Sequence, residues 1–366
     1  MIIELRKFKE KGSVPFAICV ERQSGYKYRY DLNVMPGKDA ENEEMIERVI
    51  KSILWVVGGF KIYLGGNDEL VKAMQQVFSY EGTRKFDVEF MERVYKQKFE
   101  VVACKYDEVP ASVEASIPAG GHLEGNRIGF DAGGSDRKVS AVVNGEVIHS
   151  EEVVWFPKTN EDPEYHYQGI LDSFRRAAEK MPSVDAIGVS SAGIYIDNEV
   201  RVASLFIKVP QDLFDEKVVD MYIRAAKEYG DVPLTVANDG DVTALAGSMS
   251  LKSGQVLGIA MGTSEAAGYV NKDGNLNGWL SELAFVPVDY NKGAMVDEWS
   301  GDYGCGVKYF SQDGVIKLAG FAGIELDENA SPAEKLKVVQ GLMKEHDPRA
   351  KEIYENVGTY LGYSIA

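Results

Sequence analysis

Cysteine and histidine are both scarce in this chain of 366 residues, at three and four respectively. Cys19, Cys104 and Cys305 are far apart and odd in number, which excludes a disulfide framework and a zinc-finger spacing. His122, His149, His166 and His346 are scattered in the same way. Long apolar runs are missing too, since none reaches the roughly 18 to 20 residues needed to span a bilayer. The start, Met1-Ile-Ile-Glu-Leu-Arg-Lys, has no apolar core followed by small residues and does not read as a signal peptide. There is no short-period repeat and no low-complexity tract. A reducing cytoplasm is the simplest compartment. Basic residues are outnumbered, 40 Lys and Arg against 57 Asp and Glu, for a net charge of −17. Residues 1–120 are close to neutral, so the excess acid lies beyond them. Such a surface disfavours nucleic acid and anionic membranes, yet leaves room for a small basic pocket that takes a phosphorylated ligand.

What is present is a composition ordinary for globular domains, 45% hydrophobic, in a chain long enough for two or three cores. The first 120 residues have a rhythm of their own. Residues 16–20 and 26–32 read as a hairpin around Ser24-Gly25. Met45, Ile46, Val49, Ile50, Ile53, Leu54 and Val57 make a helical stripe, ended by Gly58-Gly59. Residues 60–64 read as a strand, Asn67 caps a helix to about Phe78, and residues 99–104 read as another strand. Residues 110–121 carry two prolines and no periodicity, which reads as a linker. The expectation is a separate N-terminal α+β domain over 1–120.

Beyond the linker, Asp131-Ala-Gly-Gly-Ser-Asp-Arg-Lys138 lies between two strands, 127–131 and 139–143, and Asn144-Gly145 turns the second into a third. A glycine-rich turn between strands is neither a P-loop nor a dinucleotide fingerprint, since both of those open a helix. It suits another kind of anion clamp. Gly133 and Gly134 let backbone amides approach, Ser135 and Lys138 add donors, and Asp131 can hold a hydrated Mg²⁺. An ordinary glycine-rich hairpin is the competing reading. The pattern then repeats: strands end in small residues and leave a polar group at their C-terminal edge, at Asp131, Ser190, Asp239 and Gly262. In an open α/β sheet that edge binds ligands. Asn238-Asp239 ends a strand and opens a helix, where a carboxylate is favoured by the helix dipole and can accept a proton from a hydroxyl. A simple helix cap is the competing reading for Asp239.

In this order the motifs resemble the ROK family of sugar kinases and repressors, within the actin-like (ribonuclease H-like) superfamily. Asp131-Ala-Gly-Gly-Ser135 resembles the first phosphate motif, and Gly188-Val-Ser-Ser-Ala-Gly193 the glycine-rich strand end beside the sugar. Asn238-Asp239-Gly-Asp-Val-Thr-Ala-Leu-Ala246 is similar to the sugar-binding Asn-Asp and its small-residue helix. Gly262-Thr263-Ser264 is similar to the second phosphate motif, and Gly278-Trp-Leu-Ser-Glu282-Leu-Ala-Phe285 to the family's Gly-Glu-Ile-Gly-His segment. The resemblance runs from residue 127 to the end.

It implies an α/β, two-lobed fold with a first lobe over 121–247 and a second over 248–366. For this family the chain stops early, so the second lobe is expected to be incomplete at its C-terminal end, where the family shapes its adenine site: either this is a fragment or the adenine pocket is built another way. The helix–strand–Gly65-Gly66–helix order of residues 44–78 has the form of the absent unit. The resemblance also implies ATP and Mg²⁺ as cofactors, a sugar substrate and a homodimer. It makes Asp239 the general base, and Asn238, Glu282, Ser191 and Gly193 sugar-side residues. Asp131 would face Mg²⁺ through water, and Gly133, Gly134, Ser135, Lys138, Gly262, Thr263 and Ser264 the phosphates. Three departures stand out. Phe285 replaces the family's histidine. Cys305 alone remains of its cysteine cluster, so no zinc is expected. Glu265 places a carboxylate beside the second phosphate motif, where a metal ion or a basic group such as Arg137 or Lys138 would have to offset it. The acidic, aromatic segment 297–303 reads as a surface loop or as a replacement for the zinc region. The expected activity is phosphorylation of a sugar hydroxyl; the alternative is a non-catalytic sugar or sugar-phosphate sensor acting through protein partners.

Overall fold

A computed structural model describes residues 12–262 and 264–365. The chain divides into two compact units. One combines Met1–Ala115 with Ile259–Ala267 and Gly278–Ala366; the other combines Ser116–Gly258 with Gly268–Asn277. Among the described residues no helix is long and apolar enough to cross a membrane.

In the first unit, β1 (Val14–Glu21) lies between β2 (Lys27–Val34) and β3 (Lys61–Gly65), antiparallel to both, and β4 (Glu100–Cys104) adds parallel to β3. The central strand carries Phe16, Ala17, Ile18, Cys19 and Val20, all fully buried, as a strand covered on both faces requires. Helix α1 (Asp39–Val56) starts with Asp39 and Glu41 against its dipole and buries the stripe from Met45 to Leu54. It stops at Gly58-Gly59, both at positive φ; a Cβ on Gly59 would strike Val20. Helices α2 (Asp68–Val77), capped by the Asn67 side chain, and α3 (Lys85–Tyr95) complete this part.

The second unit is built on a five-stranded sheet in the order β11-β8-β5-β6-β7. Strands β5 (Asn126–Ala132), β6 (Asp136–Val143) and β7 (Glu146–Val154) form an antiparallel meander, while β8 (Ala186–Ser191) and β11 (Leu234–Asn238) run parallel to β5. This is a mixed α/β lobe of the kind the resemblance implies. Alternation along the strands sends Ile128, Phe130, Val139, Ile187, Val189 and Val236 to one face. Helices α4 (Pro163–Ala178) and α5 (Met221–Lys227) cover it through Ile170, Phe174, Met221 and Tyr222. The fully buried Phe174 meets Phe130 edge to face at 5.5 Å. A small antiparallel pair, β9 (Ile194–Ile196) and β10 (Glu199–Val202), follows β8. Helix α6 (Asp239–Leu251) continues directly from β11. The hairpin of β12 (Val256–Met261) and β13 (Glu265–Val270) straddles the division between units. Within the second unit Gly258 and Gly268 let the chain approach α6: a Cβ on Gly258 would lie 2.7 Å from the Ala244 nitrogen.

The rest of the first unit is a segment of turns, 278–311, and three helices, α7 (Gln312–Phe321), α8 (Pro332–Lys344) and α9 (Pro348–Ile365). Ser311 caps α7, and Ser331 with Glu334 makes a capping box on α8. Val315, Ala319, Val339, Ala350 and Ile353 form their core.

The sequence reading makes residues 1–120 a domain of their own. In the structure Met1–Ala115 shares a unit with Ile259–Ala267 and Gly278–Ala366, while 116–120 fall in the other, and a buried ion cluster ties the parts of the first unit together. Asp302 meets Arg48 at 2.8 Å, Lys51 at 2.6 Å and Arg84 at 2.8 Å, with Glu47 and Asp87 balancing the charge. The Trp55 and Phe285 rings meet at 4.3 Å, tilted by 31°, beside it. Segment 297–303 is therefore not simply a surface loop: Asp297 and Asp302 are buried, although Trp299 is 59% exposed.

Candidate functional site

Three parallel strands of the second unit end side by side. Asp131 pairs in register with Ser190, while Ala237 and Asn238 pair with Ser190 and Ser191. Asp131, Ser190, Ser191 and Asn238 thus gather at the C-terminal edge of the sheet. Asn238 is the last strand residue and the cap of α6, its Oδ1 accepting from the Gly240 amide at 2.7 Å. Its Nδ2 donates to the Gly193 carbonyl at 2.7 Å. The amide thereby ties the head of α6 to the turn after β8, with one Nδ2 hydrogen to spare. Gly193 sits at φ +138°, and a Cβ there would press to 2.7 Å from that of Ala203, so it serves packing. Ser191 is buried and receives the hydroxyl of Tyr222 at 3.4 Å.

Asp239 is the first residue of α6, and its Oδ1 accepts from the Gly240 amide at 3.1 Å. Burial raises its pKa above the ordinary aspartate value, and the negative charge of Asp131 adds to the effect. Asp241, two residues on, is pushed up to about 7, by burial first and by Asp239 second. The first turn of α6 therefore holds two carboxyls of raised basicity at a helix N-terminus, where the dipole alone would lower them.

The glycine turn between β5 and β6 is pinned from outside. The Trp155 indole donates to the Gly133 carbonyl at 2.7 Å, and its amide donates to Ser135 at 3.1 Å. A Cβ on Gly134 would lie 2.9 Å from the Lys158 ammonium. Lys158 thus lies across the turn, a cation that the sequence reading missed. Only its place just after β7 hinted at it. Lys138 is exposed and 3.5 Å from Asp136, whose charge raises its pKa. Arg137, proposed to share the work of Lys138, points the other way. It is buried against α4, bonded to Asp172 at 2.9 Å and Ser173 at 2.7 Å. Successive strand residues face opposite sides, so the two cannot serve one loop. Along the sheet face opposite α4 lies a cleft of about 800 Å³, lined by Asp131, Lys138, Ser140, Gly188, Ser190 and Thr235 among others.

Gly262, Ser264 and Glu282 belong to the first unit. Gly262 and Ser264 are exposed in the hairpin turn, with the Gly262 carbonyl accepting from Gln312 at 2.7 Å; Thr263 lies outside the described residues. Glu282 is fixed through its backbone. The amides of Leu280, Ser281 and Glu282 donate to the carbonyls of Val57, Val56 and Trp55, using acceptors that the end of α1 leaves open. Glu265 departs from expectation. Its side chain is buried in its own unit, with Oε2 2.7 Å from where a Cβ on Gly306 would sit. Burial first and Glu282 second push its pKa up to about 8. Burial thus favours its protonated form, and its side chain lies inside its own unit and not on the exposed turn, which weakens the expected repulsion of phosphates. Phe285 packs among Trp55, Phe86, Phe90 and Trp299.

No family model matches the sequence, and no curated protein matches it. Solved structures do. A ROK family transcriptional regulator, described as a homologue of the E. coli MLC protein, shares 17% identity over 66% of this chain with a TM-score of 0.49. The match spans 61% of the length of that regulator. The ROK hexokinase from Thermus thermophilus shares 18% identity over 65% of this chain and 75% of its own, with a TM-score of 0.47. The ROK family glucokinase from Streptomyces griseus, solved with glucose and AMPPNP, shares 18% over 65% and 77%, with a TM-score of 0.46.

Proposed function

We propose that the protein is a ROK-like kinase that transfers the γ-phosphoryl group of ATP to a hydroxyl of a sugar. One observation carries the reading: Asp239 stands at a strand–helix junction, with raised basicity, and feels the charge of Asp131 at the end of β5, two strands away at the same sheet edge. Asp239 takes the proton of the attacking hydroxyl. The hydroxyl oxygen bonds to the γ-phosphorus, and the bond to the β-phosphate oxygen breaks. Asn238 orients the sugar through its spare amide hydrogen, and Glu282 accepts further sugar hydroxyls. In the second unit Gly133, Gly134, Ser135, Lys138 and Lys158 receive phosphate; in the first, Gly262, Thr263 and Ser264 carry the second phosphate motif. Asp131 and Asp239, which feel each other's charge, offer hard oxygen donors of the kind that Mg²⁺ takes. Asp131 would hold it through water, and when bound it would neutralise phosphate charge. The Gly65-Gly66 turn and capped helix α2 belong to the same unit as the Gly262 turn, and in this reading they supply the adenine side.

The test is ATP turnover by the full chain against a panel of sugars, with Asp239→Asn as control. Absence of turnover with every sugar, alongside measurable sugar binding, would favour a sensor acting through protein partners. Phe285, packed into an aromatic cluster where the family carries histidine, is the observation on that side.

A further inference from the structure

Glu265 opens β13 and is only 4% exposed. Its Oε2 is buried, with no hydrogen-bond partner among the described residues. It reaches the space that Gly306 leaves by having no side chain, and a Cβ on Gly306 would clash both with that oxygen and with the carbonyl of Leu283. The carboxyl therefore borders the turn Leu283–Phe285, whose N-cap is Glu282. Among the described residues no cation pairs with it. Lys308, on the neighbouring turn, is committed to Glu298 and Asp297. Cys305 is buried and its thiol donates to the Asp302 carbonyl at 3.8 Å. On α1, Lys51 and Arg48 are bound to Asp302. The charge that acts on Glu265 is that of Glu282. Two carboxylates in a site of low polarity cannot both ionise cheaply, and a buried, unpaired one keeps its proton.

We propose that Glu265 is a positioning residue that carries the proton of the pair, leaving Glu282 ionised as an acceptor for the substrate. The role assigned to Glu282 rests on the kinase reading above; the assignment of the proton does not. Above about pH 8 the proton leaves Glu265, two negative charges face each other, and the Glu282 turn loses its support.

Infrared difference spectra of the full chain test the assignment. At pH 7, Glu265→Gln should remove one protonated carboxyl band that Glu282→Gln leaves in place, and in the wild type that band should titrate near pH 8. A band lost in Glu282→Gln and kept in Glu265→Gln, or no such band, overturns the proposal. With the sugar identified from the panel, wild-type KM should rise at least about fivefold between pH 7 and 9 with kcat within about twofold, and Glu265→Gln should hold KM flat. Equal KM profiles in the two proteins would also overturn it. Should no sugar turn over, the infrared result alone decides, and the failure belongs to the kinase reading. Thermal unfolding of Glu265→Gln, at least as stable as wild type above pH 8, confirms that the variant folds.

Discussion

Asp239 is the residue on which the chemistry turns. Asp239→Asn keeps the cap geometry but removes the base, so turnover should fall at least about 100-fold while sugar binding persists. Steady-state kinetics with calorimetry for the sugar check this, and near wild-type turnover would strip Asp239 of the role. Lys158 makes a second prediction. If it grips phosphate across Gly134, Lys158→Ala should raise the KM for ATP about tenfold with little change in the KM for sugar; an unchanged ATP KM would show that the lysine merely covers the turn. Single residues were legible where chain direction fixes them. Asp131 and Asp239 must sit at strand ends whatever the details. Asn238 was legible as a neighbour but not as a clamp, because its partner Gly193 is 45 residues away. Glu265 was misread because its sequence neighbours say nothing of burial under Gly306.

At the scale of elements, the junction of α1, α3 and segment 297–303 depends on Asp302. Burial alone would raise the pKa of Asp302; the charges of Lys51 and Arg84, with hydrogen bonds from Arg84 and Arg48, overcome that and hold it well below the usual carboxylate range. Its stabilising contribution is full above the ordinary aspartate pKa and is lost as pH falls through the lowered one. Asp302→Asn leaves Arg48, Lys51 and Arg84 with only Glu47 and Asp87 to balance them, one buried positive charge uncompensated, and should cost about 3 to 5 kcal/mol at neutral pH. Urea unfolding would measure it, and the gap to wild type should narrow as pH drops below about 4. Equal stability at pH 7 would mean that water reaches the cluster. The elements themselves were largely readable. The stripe from Met45 to Leu54, the Asn67 cap and the Asn144-Gly145 turn each carry local physics. The ion cluster joins residues more than 200 positions apart, and no local pattern announces it.

For the whole molecule, the division into units bears on two measurements. Residues 1–115 alone should fail to give cooperative unfolding, because Arg48, Lys51 and Arg84 would lose Asp302 and Trp55 would lose Phe285. A cooperative transition in that fragment would restore the separate N-terminal domain. Purified full-length protein should carry far less than one zinc per chain, since Cys305 is buried and its thiol hydrogen-bonds within the 300–305 turn; a stoichiometric zinc signal after dialysis would contradict this. Motif order along the chain made the α/β lobe over 126–251 legible. The first unit was not, because its two halves are separated by the whole of the other.

That separation has a consequence at the ribosome. The first 115 residues emerge early, yet their partners Phe285 and Asp302 come only after about 160 intervening residues, most of which belong to the other unit. At roughly 5 to 20 residues per second the delay is on the order of ten seconds or more, long compared with hairpin and helix formation. During that interval the cations of α1 and the face of Trp55 stand uncovered while the α/β lobe completes itself. Slowing translation beyond residue 258 should therefore increase chaperone capture of the nascent chain, whereas slowing it only after Asp302 has emerged should have little effect.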